Sequence, residues 1–186
     1  MAKLIYVTHT SLDGYIEDHT GSLDWSNPDQ VFDFITELMR PIGTHLLGRR
    51  LYETMAYWDA PVESYPPERR DFARIWQKAE QIVFSRTLAD GPTRIARVEQ
   101  EFDPEATRKL KRELEHDIFI GGAELAGRAF ESDLVDECHL FLHPVILGGG
   151  KPAFRPALRR DLELLETRRF AGGAIHLRYR MRAAAP

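Results

Sequence analysis

Cysteine is almost missing: Cys138 stands alone. A disulfide framework is therefore excluded, a reducing interior is the natural setting, and the thiol reads as a small buried hydrophobe. Long apolar runs are missing too. No segment approaches about 18 uninterrupted apolar residues, and the N-terminal MAKLIYVTHTSLDG is too short and too polar for a signal h-region, so no membrane partner and a cytoplasmic location are expected. Neither sign of charge dominates. The 25 Lys and Arg against 29 Asp and Glu leave a net charge of -4, and Arg alternates with Asp and Glu along most of the chain. No basic face suited to a phosphate backbone results, and nucleic acid is not expected as a partner. Repeats, low-complexity tracts and interdomain linkers are also absent. What remains, 186 residues of which 43% are apolar, suits one domain with a core of ordinary size.

Residues 4 to 9 (LIYVTH) are rich in β-branched and aromatic types and stop at Ser11-Leu12-Asp13-Gly14, so they read as a strand running into a turn. Asn27-Pro28-Asp29-Gln30 offers an N-cap, a proline at the first helical position and a capping-box Gln. Val31, Phe34, Ile35, Leu38 and Met39 follow at helical spacing, predicting a helix over about 28 to 40. His45-Leu46-Leu47 ends in Gly48 and passes into the helix-like RRLYETM. Gln81-Ile82-Val83-Phe84 ends in Ser85-Arg86-Thr87. Asp117 to Ile120 ends in Gly121-Gly122 and a helix over Ala123 to Glu131. Short apolar strands separated by helical pattern predict parallel pairing with both faces covered. Glu137 to Leu147 reads as a strand broken by Pro144, Gly148-Gly149-Gly150 as a flexible loop, and Pro61 to Pro67 as a surface loop. Leu162 to Phe170 and the alternating Ala174 to Met181 flank a Gly172-Gly173 hairpin turn, with Ile175, Leu177, Tyr179 and Met181 on one face and His176, Arg178 and Arg180 on the other. The expected fold class is α/β, a mixed sheet with a parallel centre and an antiparallel C-terminal hairpin.

In such sheets ligands gather beyond the carboxyl ends of the strands. Three strand ends here carry phosphate-binding chemistry, because a glycine or hydroxyl residue leaves backbone N–H groups open at the start of a following helix, where the macrodipole favours an anion. Gly48-Arg49-Arg50 adds two guanidiniums capable of bidentate pairing with phosphate. Ser85-Arg86-Thr87 combines two hydroxyls with a cation, a set suited to a ribose 2′-phosphate. Gly121-Gly122 removes side chains from the path of a pyrophosphate. The remaining candidates carry less. His9, His45, His116, His139, His143 and His176 are scattered without metal-ligand spacing, so no metal is expected. Ser11 and Ser85 have no nearby base for nucleophilic catalysis. Trp25 is placed either to wall a pocket or to staple the first helix. Tyr52, Tyr57 and Trp58 read as core, and Lys151 as a solvated loop lysine in preference to a substrate-phosphate contact.

As an ordered set, SLDGYI at 11–16, LLGRRLYE at 46–53, VFSRT at 83–87, IGGA at 120–123 and PVILGGG at 144–150 resemble the dihydrofolate-reductase-like superfamily. They are most similar to the reductase domain of the bifunctional riboflavin-biosynthesis deaminase-reductase. The resemblance implies a three-layer dihydrofolate-reductase-like fold, NADPH as hydride donor and a homodimer. It places Gly48, Arg49 and Arg50 on cofactor phosphate, Ser85, Arg86 and Thr87 on the adenosine 2′-phosphate, and Gly121, Gly122, Ala123 and Leu125 at the pyrophosphate turn. Thr8, His9, Ser11 and Gly14 fall along the nicotinamide, and Asp13 falls near the reacting centre as the candidate catalytic residue.

Several residues depart from that pattern. Leu51 stands where family members commonly carry a phosphate-contacting Thr, and Ala123 where dihydrofolate reductases have a third glycine. The position of the pterin-binding carboxylate falls near Phe32, which disfavours dihydrofolate reduction unless Asp29 or Asp33 points inward. The zinc deaminase signature is impossible with one cysteine. The expected function is NADPH-dependent reduction of a small pyrimidine- or pteridine-like substrate, resembling 5-amino-6-(5-phosphoribosylamino)uracil reductase. The rival is a nucleotide-binding protein without catalysis.

Overall fold

A computed structural model of the chain describes residues 1–88 and 96–182. Alternation decides the architecture. Along the first strand, β1 (Leu4–Thr10), Leu4 and Tyr6 face one hydrophobic cluster while Ile5 and Val7 face another, so the strand must be covered on both sides. The same division runs through β3 (Ile42–Gly48), β4 (Glu80–Phe84) and β6 (Asp117–Gly121), where Leu46, Ile82, Ile118 and Ile120 face the first cluster and Leu47, Val83 and Phe119 the second. Three helices supply the second layer: α1 (Phe32–Met39), α2 (Arg49–Met55) and α3 (Arg70–Lys78), through Met39, Tyr52, Phe72 and Trp76. On the other face, α4 (Pro104–Glu113) and α5 (Ala123–Glu131) contribute Leu110, Leu125, Ala126, Ala129 and Phe130. Each fully buried large apolar side chain contributes roughly 1.5–3 kcal/mol.

Together with β5 (Ala96–Glu99), β7 (Glu137–Leu142), β9 (Leu162–Arg169) and β10 (Ile175–Met181), these strands form one eight-stranded sheet in the order β5-β4-β3-β6-β1-β7-β10-β9. Pairings from β5 through β7 are parallel; those of β10 with β7 and β9 are antiparallel. The mixed sheet with its antiparallel C-terminal hairpin is thus borne out. A separate strap pairs β2 (Tyr15–Glu17) with β8 (Lys151–Pro152), two elements too short to carry a sequence pattern.

Four local expectations are corrected. The helix expected from residue 28 begins as a 3-10 turn, Pro28–Val31, and Asn27 makes no side-chain cap; Gln30 lies against Gly172 instead of reaching back. The β7 ladder stops early: after His143 N–H donates to Thr10 O, Val145 N–H turns back to His143 O. The Pro61–Pro67 segment is no simple surface loop, because Tyr65 within it is buried and its hydroxyl donates to the Tyr57 carbonyl. On β10 the polar-looking face is the inner one at its start: His176 is buried opposite Phe141 while Ile175 is exposed.

Candidate active site

The carboxyl ends of β1, β3, β4 and β6 open on one cleft of about 870 Å³, within the usual size range of ligand sites. Its outer half is backbone and cation. Gly48 precedes α2 with no side-chain cap, and Gly122 precedes α5 in a left-handed conformation, φ +96°, again uncapped. A Cβ built on Gly122 would lie 3.6 Å from the Gly48 backbone, so the two strand ends pass at close quarters where only glycine adopts the required φ without strain. The α5 amides thereby stay open toward the cleft, the arrangement that receives an anion. Gly121 does not line the cleft; a Cβ there would strike Leu51 Cδ2 at 2.2 Å. Leu51 therefore packs on the turn, with no hydroxyl to offer a phosphate.

Arg49, Arg50, Arg86, Arg128 and Lys151 line the cleft against the carboxylates of Glu17 and Glu124, leaving a cationic excess. Most of these charges are already paired: Arg49 with Glu53 (2.9 Å), Arg86 with Glu101 (2.9 Å), and Glu17 with Lys151 (3.6 Å) and Arg50 (3.9 Å). Lys151 is thus no solvated loop lysine; it sits in β8, three-quarters buried, facing the cleft. The third strand end also differs from expectation. Ser85 opens no helix within the described residues; its Oγ accepts from the N–H of Thr87 (3.2 Å) and Leu88 (2.9 Å), folding a turn that presents Arg86 and Thr87 to the cleft.

The inner half is apolar. Val7, Ile35, Met39, Met55, Phe72 and Phe119 form its wall, with Thr8, His9 and Trp25 beside them. Trp25 walls the cleft, resolving its two readings. Helix α1 brings Ile35 and Met39 and no acid. Phe32 lies outside the lining, between Trp58 and Phe72 and under the Arg69 guanidinium. Asp29 and Asp33 are exposed, Asp29 in an ion pair with Arg69 at 2.5 Å, so neither points inward as the weak dihydrofolate-reductase alternative needs. Tyr52 and Trp58 belong to the core as read, whereas Tyr57 is exposed.

Ser11, Asp13 and Gly14 are not among the cleft-lining residues. Asp13 accepts hydrogen bonds from Ser11 Oγ (2.7 Å), Leu147 N–H (3.1 Å) and Gly148 N–H (2.7 Å). The Ser11 hydroxyl first, then the backbone amides, hold its carboxyl down at about 2. This geometry tethers the 145–148 loop to the end of β1. Asp13, expected as the catalytic residue, is thus held by three donors outside the cleft lining.

The signal that sequence reading missed is histidine pairing. His9 Nδ1 lies 2.8 Å from His143 Nε2, and His139 Nδ1 lies 3.0 Å from His176 Nε2. Burial, reinforced by the neighbouring imidazole, lowers His9 and His139 to about 4; burial lowers His176 to about 4 and pushes His143 down as well. His139 and His176 sit on β7 and β10, His9 on β1 and His143 just past the end of β7, so strand pairing brings each pair together. Among the described residues no three His, Cys, Asp or Glu side chains gather as a metal site, and no helix is long and apolar enough to cross a membrane.

A parallel-centred sheet with glycine-opened strand ends around a long cationic-to-apolar cleft defines a dihydrofolate-reductase-like α/β protein. The chain belongs to the RibD C-terminal domain family, whose model matches residues 2–176. Among sequences it is similar to YyaP, an uncharacterised protein of Bacillus subtilis, at 31% identity over 179 residues, covering 95% of this chain and 94% of that one. Its fold matches a protein of Shewanella sp. PV-4 ascribed to riboflavin biosynthesis, with a TM-score of 0.77, 22% identity and coverage of 98% of this chain and 100% of that one. It also matches the dihydrofolate reductase of Enterococcus faecalis complexed with NADP(H), with a TM-score of 0.67, 16% identity and 97% of each chain covered.

Proposed function

We propose that this chain is an NADPH-dependent reductase of a small, flat, conjugated heterocycle. The observation that carries the reading is the cleft's division into a cationic outer half with glycine-opened amides and an apolar inner half reaching His9. The residues present fit a dinucleotide. Gly122 and Ala123 would meet the pyrophosphate at the α5 N-terminus, Gly48, Arg49 and Arg50 the neighbouring phosphate, and Ser85, Arg86 and Thr87 the 2′-phosphate. Leu125 would pack beneath the pyrophosphate turn, and the end of β1 at Thr8 and His9 would lie along the nicotinamide. Bound there, NADPH supplies two electrons as hydride. The protein's own work is to orient the ring, exclude water through Ile35, Met39 and Phe119, and hold the β1 end still through Ser11, Asp13 and Gly14. An apolar wall without a carboxylate favours a substrate that is uncharged at its inner end. The reading also includes a homodimer and a reducing cellular interior.

The test is a titration of tryptophan fluorescence with NADPH and NADH, for the wild type and Arg86→Ala. It is followed by NADPH oxidation with 5-amino-6-(5-phosphoribosylamino)uracil or dihydrofolate as acceptor, and by light scattering for the dimer. NADPH preference that disappears in the variant, with dihydrofolate left unreduced, supports the reading. Absence of binding by either nucleotide overturns it.

A further inference from the structure

A reductase that places hydride on carbon must also deliver a proton to the adjoining heteroatom, and the cleft offers few donors. Its two lining carboxylates are committed to cations: Glu17 to Lys151 and Arg50, and Glu124 to Arg155 at 3.1 Å. Asp13 lies outside the lining. Among the described residues, His9 is the one imidazole that lines the cleft. It lies at the apolar inner end, stacked on Phe141 with ring centroids 5.1 Å apart and an interplanar angle of 23°. Its Nδ1 meets Nε2 of His143, a residue only 3% exposed and capped edge-on by Trp25 at 5.7 Å.

We propose that His9 is the catalytic proton donor of this site and that His143 is the positioning residue that recharges it. The inference rests on the reductase reading. The dyad has a direction. With His143 Nε2–H donating to His9 Nδ1, His9 must carry its own proton on Nε2, the nitrogen not engaged by His143. With a nicotinamide bound there to supply hydride to the carbon of a C=N or C=O bond, His9 Nε2 would give its proton to the electron pair left on the nitrogen or oxygen. His9 recovers a proton at Nδ1 from His143 Nε2, and His143 takes one from water at Nδ1; once product leaves, water reprotonates His9 Nε2 as the relay runs back and His143 Nδ1 gives its proton to water, restoring the starting tautomers. The sum is substrate, NADPH and one proton giving reduced substrate and NADP⁺. A neutral imidazole is a poor acid alone. The partner makes it competent, because the proton lost at one nitrogen is replaced at the other and no charge is stranded against the apolar wall.

The second pair, His139 and His176, is the internal contrast. It has nearly the same geometry, yet both rings are fully buried and their outer nitrogens, His139 Nε2 and His176 Nδ1, lack a hydrogen-bond partner, with Glu137 Oε2 standing 3.7 Å from His139 Nε2. Neither ring of that pair lines the cleft. The first pair ends in the cleft.

Two measurements on the full chain test the proposal. Long-range proton–nitrogen imidazole spectra of the NADP⁺-bound protein are expected to show His9 protonated on Nε2, with its tautomer balance shifted in His143→Gln. Kinetics with NADPH and 5-amino-6-(5-phosphoribosylamino)uracil are expected to show kcat about 100-fold lower in His9→Ala and about tenfold lower in His143→Gln. In His143→Gln the Kd for NADPH stays within about threefold of wild type, and added imidazole partly restores turnover of His9→Ala. A bare Nε2 on His9, a His9 tautomer indifferent to His143→Gln, or His9→Ala turnover within twofold of wild type overturns the proposal. Wild-type protein that binds no NADPH fails at the reductase reading itself. Where NADPH binds, the spectra decide the proton's position whatever the acceptor.

Discussion

The two halves of the cleft recognise by opposite means. The outer half uses exposed guanidiniums, most already satisfied by neighbouring carboxylates, around glycine backbone. An incoming phosphate there exchanges one ion pair for another, so each cation contributes modest affinity and the rigid amides contribute shape. The inner half has hydrophobic walls and a buried histidine pair. Where a ligand displaces water from such walls, each polar group left inside acts more strongly than it would in solvent. In the proposed reading the outer half sets which nucleotide binds, and the inner half what happens to it.

The largest expected effect is on the outer half. Gly122→Val forces a β-branched residue into φ +96°, at a cost of about 1–3 kcal/mol in stability. It tilts the α5 amides away as well, lowering NADPH affinity on the order of 100-fold; calorimetric titration checks this. The inner half breaks with acid. His9 titrates at about 4 in the folded chain against an ordinary 6.5, held down by burial and then by the neighbouring His143, so the unfolded chain takes up protons first. Stability then falls as pH drops from 6.5 toward 4 and is full above 6.5. Urea melts at pH 7 and pH 5 are expected to differ by about 2 kcal/mol per buried imidazole. Arg86→Ala sharpens the division: NADPH affinity falls about tenfold while NADH affinity stays unchanged. The smallest effect is local. In Asp13→Ala the amides of Leu147 and Gly148 lose their acceptor and exchange hydrogen about tenfold faster, with NADPH affinity little altered.

The outer half was largely legible in the sequence, and the inner half was not. Gly48, Ser85 and Gly122 announce strand ends because short apolar runs stop at them, and α5 could be read to the residue, Ala123–Glu131. These are local signals. His9 and His143 are 134 residues apart and meet because β7 pairs with β1 in one register, His9 opposite Phe141. No local pattern encodes that meeting. The hydrogen bonds of Asp13 were hidden for the same reason: they depend on a loop from residues 145–148 that β7 delivers. Ile35 was visible as an apolar helix position, yet that it faces the cleft while Phe32 does not depends on how α1 rolls against α3.

The position of β1 at the middle of the sheet has a consequence for synthesis. Its hydrogen-bonding neighbours are β6 and β7, residues 117–121 and 137–142. A nascent chain emerging at about 5–20 residues per second carries Leu4-Ile5-Tyr6-Val7 without a partner for on the order of 10 s. During that interval the strand destined for the centre is an apolar ribbon with both edges open, the kind of segment that aggregates or recruits a chaperone. Synthesis must thus pass Leu142 before the sheet can close around β1.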